Sequence, residues 1–168
     1  MIVMDEDNCM VSVAQFYLEF TVGESCGKCV PCRIGNKRML EILHRITDGE
    51  GTMDDLKMLK EMGGIIKDTA LCGLGQTSPN PVLSTLDNFY DEYVEHVRQK
   101  KCRAHQCKPL VTYCISPELC IGCHLCAKNC PADAIIGQPR RPHIINPEKC
   151  VRCGMCMSQC RHNAISIR

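Results

Sequence analysis

Cysteine dominates the chemistry that this chain can carry, because 16 of its 168 residues are cysteine. Acidic residues 5–7 interrupt the only apolar start, so the sequence has no signal-peptide pattern and predicts a cytoplasmic, reducing location. Disulfides do not persist there, and the thiols are predicted to bind metal. No side chains have a spacing typical of hydrolysis or nucleophilic catalysis, so we predict no catalytic residues.

The strongest pattern is a repeat with a period of 30 residues in the last third of the chain. Each copy separates three cysteines by two residues and adds a fourth after three more, which is typical of [4Fe–4S] ligation with the fourth thiolate binding the other cluster. Cluster A is predicted to bind Cys120, Cys123, Cys126 and Cys160. Cluster B is predicted to bind Cys150, Cys153, Cys156 and Cys130. The alternative, a pair of zinc sites, leaves the extra cysteine of each run unexplained.

A third group of thiols lies in the first half of the chain. Cys26, Cys29 and Cys32 are closely spaced, and Cys72 follows forty residues after the last of them. Three close thiolates and one remote thiolate again match a [4Fe–4S] cluster. Such a cluster would join a loop to the far end of a helical bundle.

These three ligand sets use twelve of the cysteines and leave four. Cys9 begins an apolar helix and is predicted to be a buried small hydrophobe. The other three surround a histidine, and the predicted zinc ligands are Cys102, His105, Cys107 and Cys114. Three thiolates and one imidazole suit a tetrahedral zinc site. A flexible linker with free thiols is the alternative, and His96 is a substitute ligand.

Helices are predicted to position the first cluster. Apolar residues recur at helical spacing over about 9–21, 36–47 and 81–99, and Thr52 with Asp55 predicts the capped start of a further helix. On the first helix the predicted apolar face consists of Met10, Val13, Tyr17 and Phe20.

Short strands are predicted to support the repeat. Each copy ends in a β pattern, at 134–137 and 164–167, and 144–145 is a further candidate. Residues 1–4 form another short apolar strand pattern. The predicted fold is mainly α, with a small four-helix bundle that binds one [4Fe–4S] cluster, followed by an α+β two-cluster ferredoxin domain. The predicted bounds are 1–101 for the bundle, 102–119 for a Cys-rich linker and 120–168 for the ferredoxin domain.

Charge is distributed unevenly along the chain. Residues 1–101 carry 11 Lys and Arg against 16 Asp and Glu, whereas residues 102–168 carry nine against three. A basic half can bind nucleic acid, so a zinc-binding nucleic-acid or interaction module is the rival function. We favour counter-charge for anionic clusters, because the basic residues are scattered among the cysteines and lack interleaved aromatics. No apolar run reaches the ~18 residues of a membrane span.

Two resemblances sharpen these predictions. The string SCGKCVPCR at residues 25–33, with LCGLGQ at 71–76 and PNPV at 79–82, resembles the C-terminal cluster domain of the NADH-binding flavoprotein subunit of respiratory complex I, over residues 1–101. Residues 113–168 resemble two-cluster bacterial ferredoxins, with one departure: Arg161 follows Cys160 where the first copy has a proline. Together they resemble the NADH-oxidising subunit of multimeric [FeFe]-hydrogenases, including electron-bifurcating ones.

The resemblance implies an electron-transfer function. In that family the first cluster takes electrons singly from flavin mononucleotide (FMN), which has received hydride from NADH. The FMN and NAD(H) sites belong to an upstream part of the subunit. The implied partners are that upstream domain, other iron–sulfur subunits and a soluble ferredoxin, with no nucleic acid. A subunit of an NAD-linked formate dehydrogenase is a further alternative, and in each case this chain is a component of an NADH-dependent oxidoreductase complex.

Overall fold

A computed structural model of the chain describes residues 4–167 and divides it into two compact units, with the boundary between Leu110 and Val111. The predicted linker 102–119 is therefore shared, because residues up to 110 belong to the first unit and the rest to the second. The strand pattern at the start falls largely on residues 1–3, which lie outside the described residues, and Met4 is not in a strand.

The first unit is helical. Its α-helices are α1 (Met10–Glu24), α2 (Asn36–Thr47), α3 (Met53–Thr69), α4 (Gly73–Thr77), α5 (Asn80–Asn88) and α6 (Tyr90–Val94). Two π-helical turns, Pro31–Gly35 and Glu95–Gln99, precede α2 and follow α6, and a 3-10 turn spans Lys108–Leu110. The helices predicted over 9–21 and 36–47 are confirmed, with small shifts at their ends.

The buried face of α1 differs from the predicted one. The buried residues are Met10, Val11, Ala14, Leu18 and Thr21, whereas Phe20 is 62% exposed. Apart from Met10, the buried set has the same helical spacing as the predicted set, displaced by one residue. Because α1 is apolar on most of its circumference, periodicity could not identify the side that packs against the core. Leu18 joins Met39, Leu43 and Ile46 of α2 in that core.

The helix predicted over 81–99 is interrupted. Phe89 leaves helical geometry, with φ −127° and ψ 37°, and separates α5 from α6. The hydroxyl of the fully buried Tyr93 lies 2.8 Å from Oγ1 of Thr85. In an unbroken helix, residues eight apart are separated by about 12 Å along the axis. The break at Phe89 therefore accompanies a contact that brings α6 back towards α5.

The start of α3 confirms the predicted capping box. Thr52 Oγ1 accepts a hydrogen bond from Asp55 N, and Asp55 Oδ2 accepts one from Thr52 N at 2.8 Å. Arg45 of α2 also forms an ion pair with Asp55. Burial opposes the charged carboxylate, but the hydrogen bonds from Thr52 and Arg45 outweigh it and lower the pKa of Asp55. The same carboxylate thus caps α3 and joins it to α2.

Replacing Asp55 with asparagine is expected to lower the free energy of unfolding by about 2 kcal/mol, because the cap and the ion pair weaken together. Since the folded pKa is lowered, this contribution is complete above the unfolded value of about 3.9 and is lost as pH falls through the folded value. Urea unfolding followed by circular dichroism would measure both effects. The control is Asp54→Asn, which removes an exposed carboxylate of the same helical turn; an equal effect of the two substitutions would contradict the interpretation.

The second unit contains short strands and short helices. The strands are β1 (Tyr113–Ile115), β2 (Ile135–Ile136), β3 (Ile144–Ile145) and β4 (Ile165–Ile167), and the helices are α7 (Leu125–Lys128) and α8 (Met155–Ser158). β1 pairs antiparallel with β4, and β2 with β3, in two separate two-stranded sheets. The three strand regions predicted in and between the copies of the repeat are confirmed, and β1 is an addition to them. Each copy of the repeat thus supplies one cysteine-bearing turn, one short helix and one strand.

Within residues 4–167, no helix combines the length and the apolar character that crossing a bilayer requires.

Candidate iron–sulfur and metal sites

The ligand candidates of the first unit lie where a loop, a π-helical turn and a short helix come together. Cys26 and Cys29 precede the π turn, and Cys32 lies in it and is 5% exposed. Cys72 is the N-cap residue of α4. π-helical turns occur often at functional sites, where the inserted residue changes the direction of the side chains. This arrangement gives the closely spaced thiols a rigid support.

Contacts of Cys32 join this loop to α4. Its Sγ lies 3.3 Å from Oγ of Ser25 and accepts a hydrogen bond of 3.5 Å from Nδ2 of Asn36. A Cβ on Gly75 would lie 3.2 Å from Cβ of Cys32 and 2.6 Å from Cβ of Ala70. Only a glycine at position 75 therefore lets α4 approach the thiol this closely.

Cys29 also lies against the segment that contains Cys72. Hydrogen bonds with the backbone at Leu71 and at Cys32 lower the pKa of the Cys29 thiol. A lowered pKa favours the thiolate, which is the form that binds metal. The structure thus brings Cys29 and Cys32 to residues 70–75, and the surroundings of Cys29 favour an anionic ligand.

Each predicted ligand set of the second unit lines one cavity. The thiols that line the first are Cys120, Cys123, Cys126 and Cys160. The thiols that line the second are Cys130, Cys150, Cys153 and Cys156. In each cavity three thiols come from one copy of the repeat and the fourth from the other copy, which is the exchange that two-cluster ligation requires. Mostly apolar side chains complete the walls, with His124, Gln159 and His162 as polar members in the first cavity, so both cavities have the donor set of an iron–sulfur site.

The two cavities share a backbone contact at equivalent positions of the repeat. Ala134 N donates to Sγ of Cys130, and Ala164 N donates to Sγ of Cys160, each at 3.3 Å. Alanine occupies the same position in both copies. Hydrogen bonds to the sulfur ligands are among the factors that set the reduction potential of a cluster. The similarity between the two copies therefore extends from the thiols to the backbone groups that influence the reduction potentials of the clusters.

Burial, together with crowding by neighbouring thiols, raises the pKa of one thiol in each cavity. Burial, followed by the proximity of Cys120 and Cys123, raises the pKa of Cys126. Burial and the proximity of Cys150 and Cys153 raise the pKa of Cys156 in the same way. Several thiolates placed so close together repel one another, and bound iron would neutralise that repulsion.

A separate group of four buried side chains lies in the first unit. Its members are Cys9, His96, Cys102 and Cys107, and their potential ligand atoms all lie within 4.8 Å of one another. Cys9 is the N-cap residue of α1, and His96 lies in the π turn that follows α6. None of the four is more than 5% exposed. Buried groups of this composition are typical of closed structural zinc sites.

The distances within this group fit a tetrahedral ion. Sγ of Cys9 lies 3.8 Å from Sγ of Cys107, and the two sulfurs lie 3.3 and 3.4 Å from Nε2 of His96. With Zn–S near 2.3 Å and Zn–N near 2.0 Å, a tetrahedron has S–S edges of about 3.8 Å and S–N edges of about 3.5 Å. The positions of these atoms therefore already approximate the coordination polyhedron.

A hydrogen bond fixes the orientation of the His96 ring. Its Nδ1 lies 2.7 Å from the carbonyl oxygen of Glu92, which can only accept, so Nδ1 carries the proton. Nε2 is thereby directed at the thiols, and its lone pair becomes available when a metal ion displaces the proton there. A backbone carbonyl that holds the second ring nitrogen is the usual support of a metal-binding histidine.

The thiols and the imidazole influence one another strongly. Burial disfavours the charged imidazolium, but hydrogen bonds with Cys102 and Cys9 outweigh it and raise the pKa of His96 to about 10. Hydrogen bonding with Cys107 and with Cys9 lowers the pKa of Cys102, and hydrogen bonding with Cys102 and Cys9 raises that of Cys107. The group is thus stabilised by a positive charge placed beside negative sulfur, and a divalent cation would supply that charge.

The structure divides the predicted zinc set. Cys102 and Cys107 belong to the buried group, whereas His105 is exposed and Cys114 lies in β1 of the second unit, opposite Ser166. Cys9 is buried as predicted, but it is in contact with thiol and imidazole groups rather than only with the apolar core. His96 occupies the place in the group that the sequence suggested for His105. The sequence predicted Cys102 and Cys107 and offered His96 as a substitute ligand, but it missed Cys9, which lies 87 residues before His96.

Comparisons with known proteins match the first group of predicted cluster ligands and the repeat with two different families. A family described as the NADH-ubiquinone oxidoreductase-F iron-sulfur binding region matches residues 12–96. A 4Fe-4S binding domain family matches residues 113–136 and 143–166. The two family resemblances inferred from the cysteine motifs are thereby confirmed.

Similar proteins are components of larger enzymes. The chain is 62% identical over 143 residues to the NADP-reducing hydrogenase subunit HndC of Solidesulfovibrio fructosivorans, covering 85% of this chain and 29% of that protein. It is 38% identical over 98 residues to a component of the NADH-quinone oxidoreductase of Streptomyces coelicolor, covering 58% of this chain and 22% of that protein. A crystal structure of an NAD+-reducing [NiFe]-hydrogenase in the H2-reduced state superposes with a TM-score of 0.55 at 27% identity, over 57% of this chain and 16% of that one. The chain spans less than a third of the length of these curated relatives.

Proposed function

Because the chain belongs to the family of NADH-ubiquinone oxidoreductase-F iron–sulfur binding regions, we propose that it is the electron-carrying part of an NADH-oxidising iron–sulfur subunit. Three [4Fe–4S] clusters would supply one-electron transfer. Cys26, Cys29, Cys32 and Cys72 hold one of them, and clusters A and B have the ligands given above. The observation that carries this proposal is the pair of cavities of the second unit, each lined by four thiols from both copies of the repeat.

The proposed electron donor is an FMN that has received hydride from NADH in an upstream domain of the same subunit. The family match of the first unit supports this donor. The similarity to a hydrogenase subunit supports a hydrogenase complex with further iron–sulfur subunits as the setting, with a soluble ferredoxin as an additional partner. An NAD(P)-linked formate dehydrogenase is the second candidate, because the chain is 40% identical over 92 residues to the NADP(+)-dependent formate dehydrogenase subunit beta of Moorella thermoacetica, covering 55% of this chain and 13% of that protein.

We also propose one zinc ion at Cys9, His96, Cys102 and Cys107. Their burial, the tetrahedral distances and the hydrogen bond between His96 and Glu92 support this ligand set. A closed site of four protein ligands has no position for substrate and no redox chemistry, so its role would be structural. It would join the start of α1, the π turn after α6 and the segment that ends the first unit.

Metal analysis tests the proposed function. Anaerobic reconstitution with iron and sulfide is expected to give about twelve iron atoms per chain, from three clusters of four. Reduction by dithionite should then produce the electron paramagnetic resonance signals of reduced [4Fe–4S] clusters. Protein that binds zinc alone, without acid-labile sulfide, would contradict electron transfer and favour the zinc-binding nucleic-acid module. A plateau near eight iron atoms would remove one cluster, and single Cys→Ala substitutions would identify it.

A further inference from the structure

An arginine-bearing loop of the second unit has no part in holding either cluster. The loop comprises residues 137–143, between β2 and β3, and contains the exposed Arg140 and Arg141. Within residues 4–167, neither guanidinium forms a salt bridge or a hydrogen bond. Residues 111–168 contain seven Lys and Arg against three Asp and Glu. Two adjacent cations are therefore free to meet negative charge from outside the chain.

The loop is attached to the turn that carries the ligands of cluster A. Arg140 N donates to the carbonyl oxygen of Gly122 at 2.9 Å. A Cβ on Gly122 would lie 2.3 Å from Arg141 N, and Gly122 has φ +71°. Because only glycine permits both this approach and this backbone conformation, the turn between Cys120 and Cys123 is shaped to receive the loop.

Two histidines fasten the same contact. Nδ1 of the buried His143 lies 3.0 Å from the carbonyl oxygen of Arg141 and must donate to it. Nε2 of a neutral His143 then accepts from Nδ1 of His124, at 2.7 Å. His124 follows the cluster ligand Cys123 in the chain. The arginines therefore stand on a preorganised support, and a partner would not have to order the loop on binding.

Arg140 has a backbone conformation that arginine rarely adopts. Its φ is +63°, in the left-handed region that is unfavourable for arginine and that glycine and asparagine adopt readily. Its contact with Gly122 uses only the backbone, so the fold itself does not need the arginine side chain. Arg152 also has a positive φ, of +56°, and its side chain is bound within the unit, so the exposed, unpaired side chain of Arg140 rather than its φ indicates a role for the charge.

The surroundings of the loop suit electron transfer. Ile121 lines the cavity of cluster A and is 57% exposed, so it places an apolar contact surface over the site. At the equivalent point of the second copy, Arg152 replaces Gly122, and its Nε donates to the carbonyl oxygen of Val111 at 3.1 Å. Val151, at the position equivalent to Ile121, is similarly exposed, so the two turns differ in their arginines: the arginine of the cluster B turn is bound within the unit, whereas two unpaired arginines lie beside the cluster A turn.

We propose that Arg140 and Arg141 dock a small acidic electron carrier of the ferredoxin class at the cluster A end of the second unit. The proposal rests on the proposed function, because it takes cluster A to be an iron–sulfur cluster. One electron passes between the iron centre of the carrier and cluster A, so that one centre is oxidised and the other is reduced. No covalent bond forms and no proton is transferred. Charge complementarity would orient the carrier on the exposed face of Ile121.

Binding of a defined carrier tests the proposal without electron transfer. The reconstituted chain is titrated calorimetrically at low salt with an acidic plant-type [2Fe–2S] ferredoxin, both proteins oxidised. R140Q/R141Q is expected to raise the dissociation constant about tenfold, and R140K/R141K about twofold at most. The control K128Q/K149Q removes the same charge from two exposed lysines of the unit and should change the constant less than about twofold.

A kinetic measurement completes the test. Stopped-flow oxidation of the reduced ferredoxin by the chain should slow about tenfold in R140Q/R141Q. This difference should disappear near 1 M salt, where the Debye length is about 3 Å. Reduction of the clusters by the cationic methyl viologen radical should be unchanged, which would show that the clusters are intact.

The outcomes separate the two proposals. Absence of clusters after reconstitution overturns the proposed function. If clusters assemble and react with methyl viologen, but R140Q/R141Q binds the ferredoxin as well as the wild-type chain, only the docking proposal fails. It fails equally if the two double Gln variants weaken binding to the same extent, or if the wild-type chain does not bind. Either result would indicate that the loop contacts another subunit permanently or acts only through its general charge.

Discussion

Replacing Cys9 with alanine is expected to remove one zinc ion per chain and to leave about twelve iron atoms in place. Cys9 contributes one of four buried ligand atoms, and a tetrahedral structural site does not retain zinc when a ligand is lost. Because the ion binds only the folded state, free zinc at 1,000 times the dissociation constant of the site adds about 4 kcal/mol to the free energy of unfolding. Inductively coupled plasma mass spectrometry would measure zinc and iron per chain, and urea unfolding would measure the free energy of unfolding.

The former candidates provide the controls for this prediction. Cys114→Ala and His105→Ala should each retain the zinc, because Cys114 pairs with β4 and His105 is exposed. Cys107→Ala should behave like Cys9→Ala. Loss of zinc in Cys114→Ala with retention in Cys9→Ala would restore the ligand set that the local spacing suggested. Since zinc ligands must be deprotonated, wild-type zinc should also be released as the pH is lowered.

The cluster ligands could be assigned from the sequence because the chemistry imposes short, regular spacing. Three thiolates that bind one cubane must follow one another within a tight turn, so Cys120, Cys123 and Cys126 can be recognised locally. The same regularity made the strands at 135–136 and 165–167 predictable, because each follows its cysteine run at a fixed distance.

Cys9 could not be found in this way, because the fold rather than local spacing brings it to the other three members of the group. Cys9 and His96 are 87 residues apart, and only the packing of α1 against α6 places them 3.3 Å from each other. One signal was present: Cys9 is the N-cap of α1, a position that usually carries Ser, Thr, Asp or Asn. It makes no capping hydrogen bond there, which leaves the thiol free for another role.

The buried face of α1 illustrates a second limit. Val11, Ala14, Leu18 and Thr21 recur with the same spacing as the predicted face, so the pattern gave the helix but not its orientation. The π turns could not be predicted from the sequence either, because a single inserted residue changes the hydrogen bonding without changing the composition. One of these turns carries Cys32 and the other carries His96. The sequence therefore predicted the elements better than the distortions that aim ligands into the sites.

The exchange of the fourth cysteine between clusters A and B can be decided by counting iron in double variants. If Cys130 belongs to cluster B, Cys130→Ala and Cys150→Ala remove ligands from the same cluster. C130A/C150A should then lose one cluster and keep about eight iron atoms, no fewer than either single variant. C120A/C130A should lose two clusters and keep about four. Alanine is used because a serine oxygen could replace the thiolate.

The opposite assignment gives the opposite numbers. If each run of four cysteines bound its own cluster, C120A/C130A would keep about eight iron atoms and C130A/C150A about four. Cys114→Ala is the control for loss of a half-buried thiol of this unit that lines neither cavity, and it should keep all the iron. The cavities favour the first outcome, because Cys130 lines the space occupied by Cys150, Cys153 and Cys156. With ligands exchanged in this way, each cluster ties the two copies of the repeat together.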